Sequence, residues 1–157
     1  MKKNLTILTG IALLITILIA GGCKSADEDD NTNDSRKVTI YLKKVVKIDG
    51  KTHLEMYNSY ATEQVVVDSL RTFVQPGMKI IWAPETDSGI KIVNKIGSST
   101  GNGNIFDRDA SRVFLSKKFK FKVPDGAFGE EKYDIQIEDM EGQSWNIDPH
   151  LIIPDRR

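Results

Sequence analysis

Phe119-Lys120-Phe121-Lys122-Val123 and, after a connection punctuated by Pro124-Asp125-Gly126, Tyr133-Asp134-Ile135-Gln136-Ile137 decide the fold. Successive side chains of an extended chain point to opposite faces. A period of two therefore places Phe119, Phe121 and Val123 on one face and Lys118, Lys120 and Lys122 on the other. The second segment repeats the arrangement, with Tyr133, Ile135 and Ile137 set against Asp134, Gln136 and Glu138. Both read as half-buried strands. If they are neighbours, the lysine row faces the acidic row in exposed cross-strand pairs worth about 0.2–1 kcal/mol each. The lysine row taken alone is a surface suited to acidic glycans.

Working outward, the same alternation recurs upstream in Val38, Ile40 and Leu42 against Thr39, Tyr41 and Lys43. Val45 to Ile48 then meets Asp49-Gly50, a dipeptide that tolerates the left-handed backbone of a two-residue hairpin turn, and Thr52 to Tyr60 returns. Val65-Val66-Val67, Arg71 to Val74, Met78 to Trp82 after Pro76-Gly77, and Ile90 to Ile96 supply further short strands. Gly97 to Ser111 is rich in Gly, Asn, Ser and Asp and reads as a long surface loop with a short helical turn near Asp107. Trp145 to Ile147 and Leu151-Ile152-Ile153 close the chain. No segment sustains a 3.6-residue apolar period. Seven or eight short, turn-bounded strands predict an all-β, antiparallel two-sheet β-sandwich over residues 37–157.

The N-terminus obeys different rules. Met1-Lys2-Lys3 is followed by an apolar run from Leu5 to Ala20 that ends in Gly21-Gly22, too short for a spanning helix, which needs about twenty apolar residues. Residues 1–22 read as a secretory signal. The chain's one cysteine, Cys23, follows directly and excludes an intramolecular disulfide. Residues 24–35, beginning Lys24-Ser25-Ala26 and carrying Asp27-Glu28-Asp29-Asp30, lack the apolar surface to offset ordering entropy, so residues 23–36 read as an acidic tether. Bases and acids number 22 each; without Lys2 and Lys3 the balance is slightly acidic, with no overall basic excess to mark a nucleic-acid-binding domain.

Ala20-Gly21-Gly22-Cys23 resembles the lipobox of bacterial lipoproteins, although the position three before the cysteine, usually Leu, is Ala20. The resemblance implies cleavage before Cys23 and acylation of it, palmitate included. Two or three acyl chains at about 0.8 kcal/mol per buried CH₂ hold a domain at a membrane far more firmly than one. The acidic run resembles the export signal of lipoproteins displayed on the outer face of the outer membrane, and Lys24 departs from the inner-membrane retention signal. The expected location is the bacterial outer membrane, lipid-anchored and facing outward, and the expected partners are the membrane and an envelope protein or glycan.

Phe73-Val74-Gln75-Pro76-Gly77-Met78-Lys79-Ile80-Ile81-Trp82 and the closing segment from Phe119 to Ile153 resemble the cupredoxin architecture, and the same two-sheet pattern also suits immunoglobulin-like domains. The copper chemistry does not carry over. The family's thiolate would fall near Ile137 and its first imidazole near Ile90 or Ile92, none of which is a ligand. His53, His150 and Met140 are the remaining conceivable ligands, and no metal or other cofactor is expected.

Other motifs are weighed the same way. Gly97-Ser98-Ser99-Thr100-Gly101 matches the G-x-S-x-G string of serine hydrolases, with His150 as the conceivable base, but no helix is evident after it. Asn102, Asn104, Asp107 and Asp109 are oxygen donors of the kind Ca²⁺ takes, without EF-hand spacing. Trp82 and Trp145 stack on sugars only if exposed, and strand aromatics are more often core. The expectation is a non-enzymatic binding or structural accessory module without catalytic residues. The alternatives are a periplasm-facing lipoprotein handling a metal or small ligand, and a small hydrolase.

Overall fold

The computed structural model describes residues 36–101 and 103–155, so the signal segment, Cys23 and the tether before Arg36 lie outside the described residues. The described chain is all-β, and its strands form two sheets packed face to face. They are β1 (Lys37–Ile48), β2 (Lys51–Asn58), β3 (Val66–Val67), β4 (Arg71–Phe73), β5 (Lys79–Pro84), β6 (Ile90–Ser98), β7 (Ser111–Arg112), β8 (Phe119–Lys122), β9 (Gly129–Asp139), β10 (Ser144–Ile147) and β11 (His150–Ile153). One sheet has the order β3-β2-β1-β5-β8-β7; the other has β10-β9-β11-β4, with β6 on the free side of β9.

The hairpin at Asp49-Gly50 forms as expected: Ile48 lies opposite Lys51, and both turn residues have positive φ, 50° and 75°. Such a turn matches the right-handed twist of the flanking strands. The pairing is not wholly antiparallel, however. β1 runs parallel to β5, and β4 runs parallel to β11. Antiparallel neighbours follow from hairpins, whereas β5 reaches β1 only after the chain has crossed to the other sheet as β4. β10 and β11 form one interrupted strand along β9, with Ile147 opposite Ile135 and His150 opposite Lys132, so the register survives the break at Asp148-Pro149.

The two deciding segments do form strands, but they are not neighbours. β8 pairs with β5 and β7, while β9 pairs with β6, β10 and β11. The lysine and acidic rows therefore do not meet. Their apolar faces do, one from each sheet, because Phe119, Phe121, Tyr133, Ile135 and Ile137 all belong to the common core. Alternation specifies which face is buried and leaves the partner open. The expected helical turn near Asp107 is also absent; residues 103–110 are irregular, and β7 follows them.

An aromatic cluster joins the layers. Trp82 of β5 meets Tyr133 of β9 edge to face at 5.8 Å, and Trp82 Nε1 donates a 3.1 Å hydrogen bond to the Tyr133 hydroxyl. Phe106, from the irregular segment, stacks on Phe121 at 4.6 Å and tilts against Tyr133 at 5.3 Å and Trp82 at 6.1 Å. Burial pushes the Tyr133 phenol strongly up, and the indole donor opposes this weakly. Tyr133→Phe leaves the indole N–H buried without its acceptor. The expected loss is about 1–3 kcal/mol, read from the urea midpoint followed by tryptophan fluorescence.

On the solvent face of the first sheet, Tyr41 and Tyr57 stack at 4.7 Å, and the Tyr57 hydroxyl donates to Glu85 at 2.5 Å. That bond to Glu85, with burial behind it, pushes the Tyr57 phenol from 10.0 to about 12. Because the folded chain holds this proton more tightly than the unfolded one, the contribution is complete below about pH 10 and disappears as the pH rises toward 12. Glu85→Gln is expected to return one tyrosine to ordinary titration in ultraviolet absorbance, and an unchanged titration curve would refute the assignment.

Candidate functional site

A buried carboxylate organises the site region. Glu131 stands on β9 with the same parity as Tyr133, Ile135 and Ile137, so strand geometry turns it inward, where it is 8% exposed. Its Oε2 accepts the backbone N–H groups of Ile105 at 2.6 Å and Phe106 at 3.0 Å. Its Oε1 is buried with no hydrogen-bond partner among the described residues. Gly103 lies against this carboxylate, and a Cβ there would run into Glu131 Oε1, so a side chain at this position would have to displace the clamp. Glu131 thus pins segment 103–110 to the second sheet and seats Phe106 in the aromatic cluster. Asp109 further along is paired with Lys95 at 3.3 Å.

That segment forms one wall of an open cleft of about 440 Å³ lined by Arg36, Gly77, Lys79, Arg108, Asp109, Ser111, Lys120, Phe121 and Lys122. Five of these residues are cationic, and the single acid among them is already held by Lys95. Strand register supplies part of the reason. Lys79 of β5 lies directly opposite Lys122 of β8, and Lys120 lies opposite Ser111 of β7, so the exposed face of β8 delivers two lysines to one wall. Arg36 immediately precedes β1, whose Lys37 is in register with Lys79.

The other sequence-predicted residues are dispersed. Ser99 donates to Asp134 at 2.6 Å, whereas His150 pairs with Glu130 at 2.7 Å, so the two are engaged with different carboxylates. The G-x-S-x-G string ends a strand and continues into irregular chain, without the helix a nucleophile elbow requires. His53 pairs with Asp68 at 2.6 Å, and Met140 is largely exposed. Among the described residues, no group of three or more His, Cys, Asp or Glu side chains is placed to hold a metal ion.

Ile137 and Ile90 are core residues, and Ile92 lies opposite Glu138. An apolar core occupies the positions where the cupredoxin resemblance would put a thiolate and an imidazole, so these residues do not fit a copper ion. In the oxygen-rich segment, Asp107 pairs with Arg108 and Asp109 with Lys95, and Asn102 lies outside the described residues. Trp82 is fully buried and Trp145 packs partly buried against the core, the packing expected of strand aromatics in place of an exposed indole platform for sugars.

Glu131 escaped the sequence reading although a signal was present: a carboxylate at an inward parity in a strand whose other inward residues are apolar. The chain matches no protein-family model, and no curated protein matches it. Glu131→Ala strands two buried N–H groups. It is expected to cost about 2–4 kcal/mol, measured by thermal unfolding, and to speed hydrogen exchange most at Ile105 and Phe106. Uniform protection after the substitution would show that the carboxylate does not hold the segment.

Proposed function

We propose that the chain is a lipid-anchored protein of the bacterial outer membrane, acting without catalysis as a binding module whose β-sandwich is of cupredoxin-like type without copper. The observation that carries the anchor is the position of Cys23: the one cysteine of the chain follows an apolar run and two glycines, and a polar stretch separates it from the first strand at Lys37. Acylation there attaches the domain to a leaflet, and residues 24–35 set its reach at about 40 Å when fully extended. The acidic composition of that stretch supports outward display.

Binding is supported by the basic cleft. A binding module needs an accessible, chemically distinct surface on a rigid frame. Here two sheets joined through one core supply the frame, and the five cations supply the distinct surface. The residues of the hydrolase-like string and its conceivable base are engaged separately, Ser99 with Asp134 and His150 with Glu130. These contacts support a binding role over hydrolysis.

Cys23→Ala is expected to move the protein from the membrane to the aqueous fraction of detergent phase separation and to abolish palmitate labelling. Retained labelling would refute the anchor. Copper at one ion per chain in the purified protein would refute the copper-free reading.

A further inference from the structure

We infer that the turn between β7 and β8 is a second membrane contact, which inserts Phe114 and Leu115 into a phospholipid surface. The inference goes beyond the anchor at Cys23 and takes from that reading only that a bilayer lies within reach of the domain. Its starting point is exposure. Phe114 and Leu115 are 87% and 91% exposed, the two most exposed large apolar side chains among the described residues, and they adjoin on one turn. The turn is well tied. The Val113 N–H donates to the Lys118 carbonyl at 2.9 Å, the Ser116 N–H to the Val113 carbonyl at 3.2 Å, and the Lys118 N–H to Ser116 Oγ at 3.1 Å. Leu115 nevertheless holds a φ of 54°. The other non-glycine residues with positive φ among the described residues are Asp49 and Asp68, a residue type that tolerates it, whereas leucine there is strained. Asparagine or glycine at position 115 would relieve both the strain and the apolar exposure. A position that breaks two local rules with no gain inside the fold points to a use outside it.

A lipid surface fits this turn better than a protein does. Two side chains on a projecting tip fall far short of the roughly 800 Å² per partner that a stable protein interface buries, whereas lipid closes around a single turn and takes apolar groups about 5–10 Å deep. Charge agrees. Between Asp109 and Asp125 the chain carries Arg112, Lys117, Lys118, Lys120 and Lys122 and no acid. Arg112 donates to the Val93 carbonyl and Lys117 to the Ile90 carbonyl, partners that orient these cations without neutralising them, so positive charge stands behind the apolar tip as it does where lipid phosphates are met. The β9–β10 turn, bonded through the Met140 N–H to the Gly89 carbonyl beside Ile90, adds a Met140 side chain that is 71% exposed. The acids on the neighbouring turns are Asp49, Glu85, Asp87 and Glu141, of which Glu85 is engaged by Tyr57 and Glu141 by Lys47. The apolar pair therefore carries the insertion, and the cations add to it.

The tether allows the contact. Lys37 is level with Lys79 and Lys122, and Trp82 with Phe119, so β8 starts, and the turn lies, at the end of the first sheet away from Arg36. Residues 24–35 reach about 40 Å, which is also about the length of the 12-residue β1 at roughly 3.3 Å per residue, enough for the tip to return to the leaflet that holds Cys23.

The test is paramagnetic broadening of backbone amides in the full chain, isotopically labelled and reconstituted in nanodiscs of phosphatidylcholine and phosphatidylglycerol. A doxyl nitroxide near the top of one acyl chain is the probe, and the reduced nitroxide is the reference. Phe114 and Leu115 should lose roughly twofold more signal, or a larger excess still, than Gly77 and Lys79 at the opposite end. In Phe114→Ser with Leu115→Asn that excess should vanish while the thermal midpoint holds or rises, because both side chains are exposed and asparagine accepts the left-handed backbone. An excess retained in the double variant, equal broadening at both ends, or the greatest broadening near Gly77 would overturn the inference. A tip that stays sharp would also overturn it and leave the two side chains to a protein partner. Palmitate labelling of Cys23 in the same preparation reports on the anchor independently, so a labelled chain with a sharp tip fails this inference alone.

Discussion

The described structure depends on one buried carboxylate. Glu131 uses a single oxygen to hold the N–H groups of Ile105 and Phe106, and through them it places Phe106 between Phe121 of one sheet and Tyr133 of the other. Burying a carboxylate costs several kcal/mol unless its charge is met by donors. Here two backbone donors meet it, and the return is an ordered irregular segment. Without that clamp, a stretch rich in Gly, Asn and Asp has little apolar surface beyond Ile105 and Phe106 with which to order itself.

The clamp connects the core to the surface. The same segment that delivers Phe106 inward carries Arg108 and Asp109 to the cleft, so the core and the cleft wall share one short piece of chain. On the opposite wall, β8 divides its residues by parity. Phe119 and Phe121 bury their rings against the second sheet, while Lys120 and Lys122 project to the basic side. The lysine spacing at the cleft is therefore set by the pleat of a strand fixed by its aromatic face. The Trp82 to Tyr133 hydrogen bond ties β5, which carries Lys79, to the second sheet.

Much of this fold was legible in the sequence because it rests on local rules. Period-two alternation marks β1, β8 and β9, and Asp49-Gly50 marks the first hairpin, since both signals act within a few residues. What alternation does not encode is the partner of each strand. β8 and β9 read as candidate neighbours, yet they lie in different sheets and meet only through their apolar faces in the common core. Two parallel pairings also follow from crossings between sheets that no short motif announces. The basic cleft was visible in part as the lysine row; Lys79, Arg36 and Arg108 join it only through register and the Glu131 clamp.

The most direct measurement is the set of nuclear Overhauser contacts of the Phe106 ring in the native chain and in Glu131→Ala. The account predicts contacts to Phe121 and Tyr133 in the native chain and their loss in the variant. Contacts that persist unchanged without the carboxylate would contradict it.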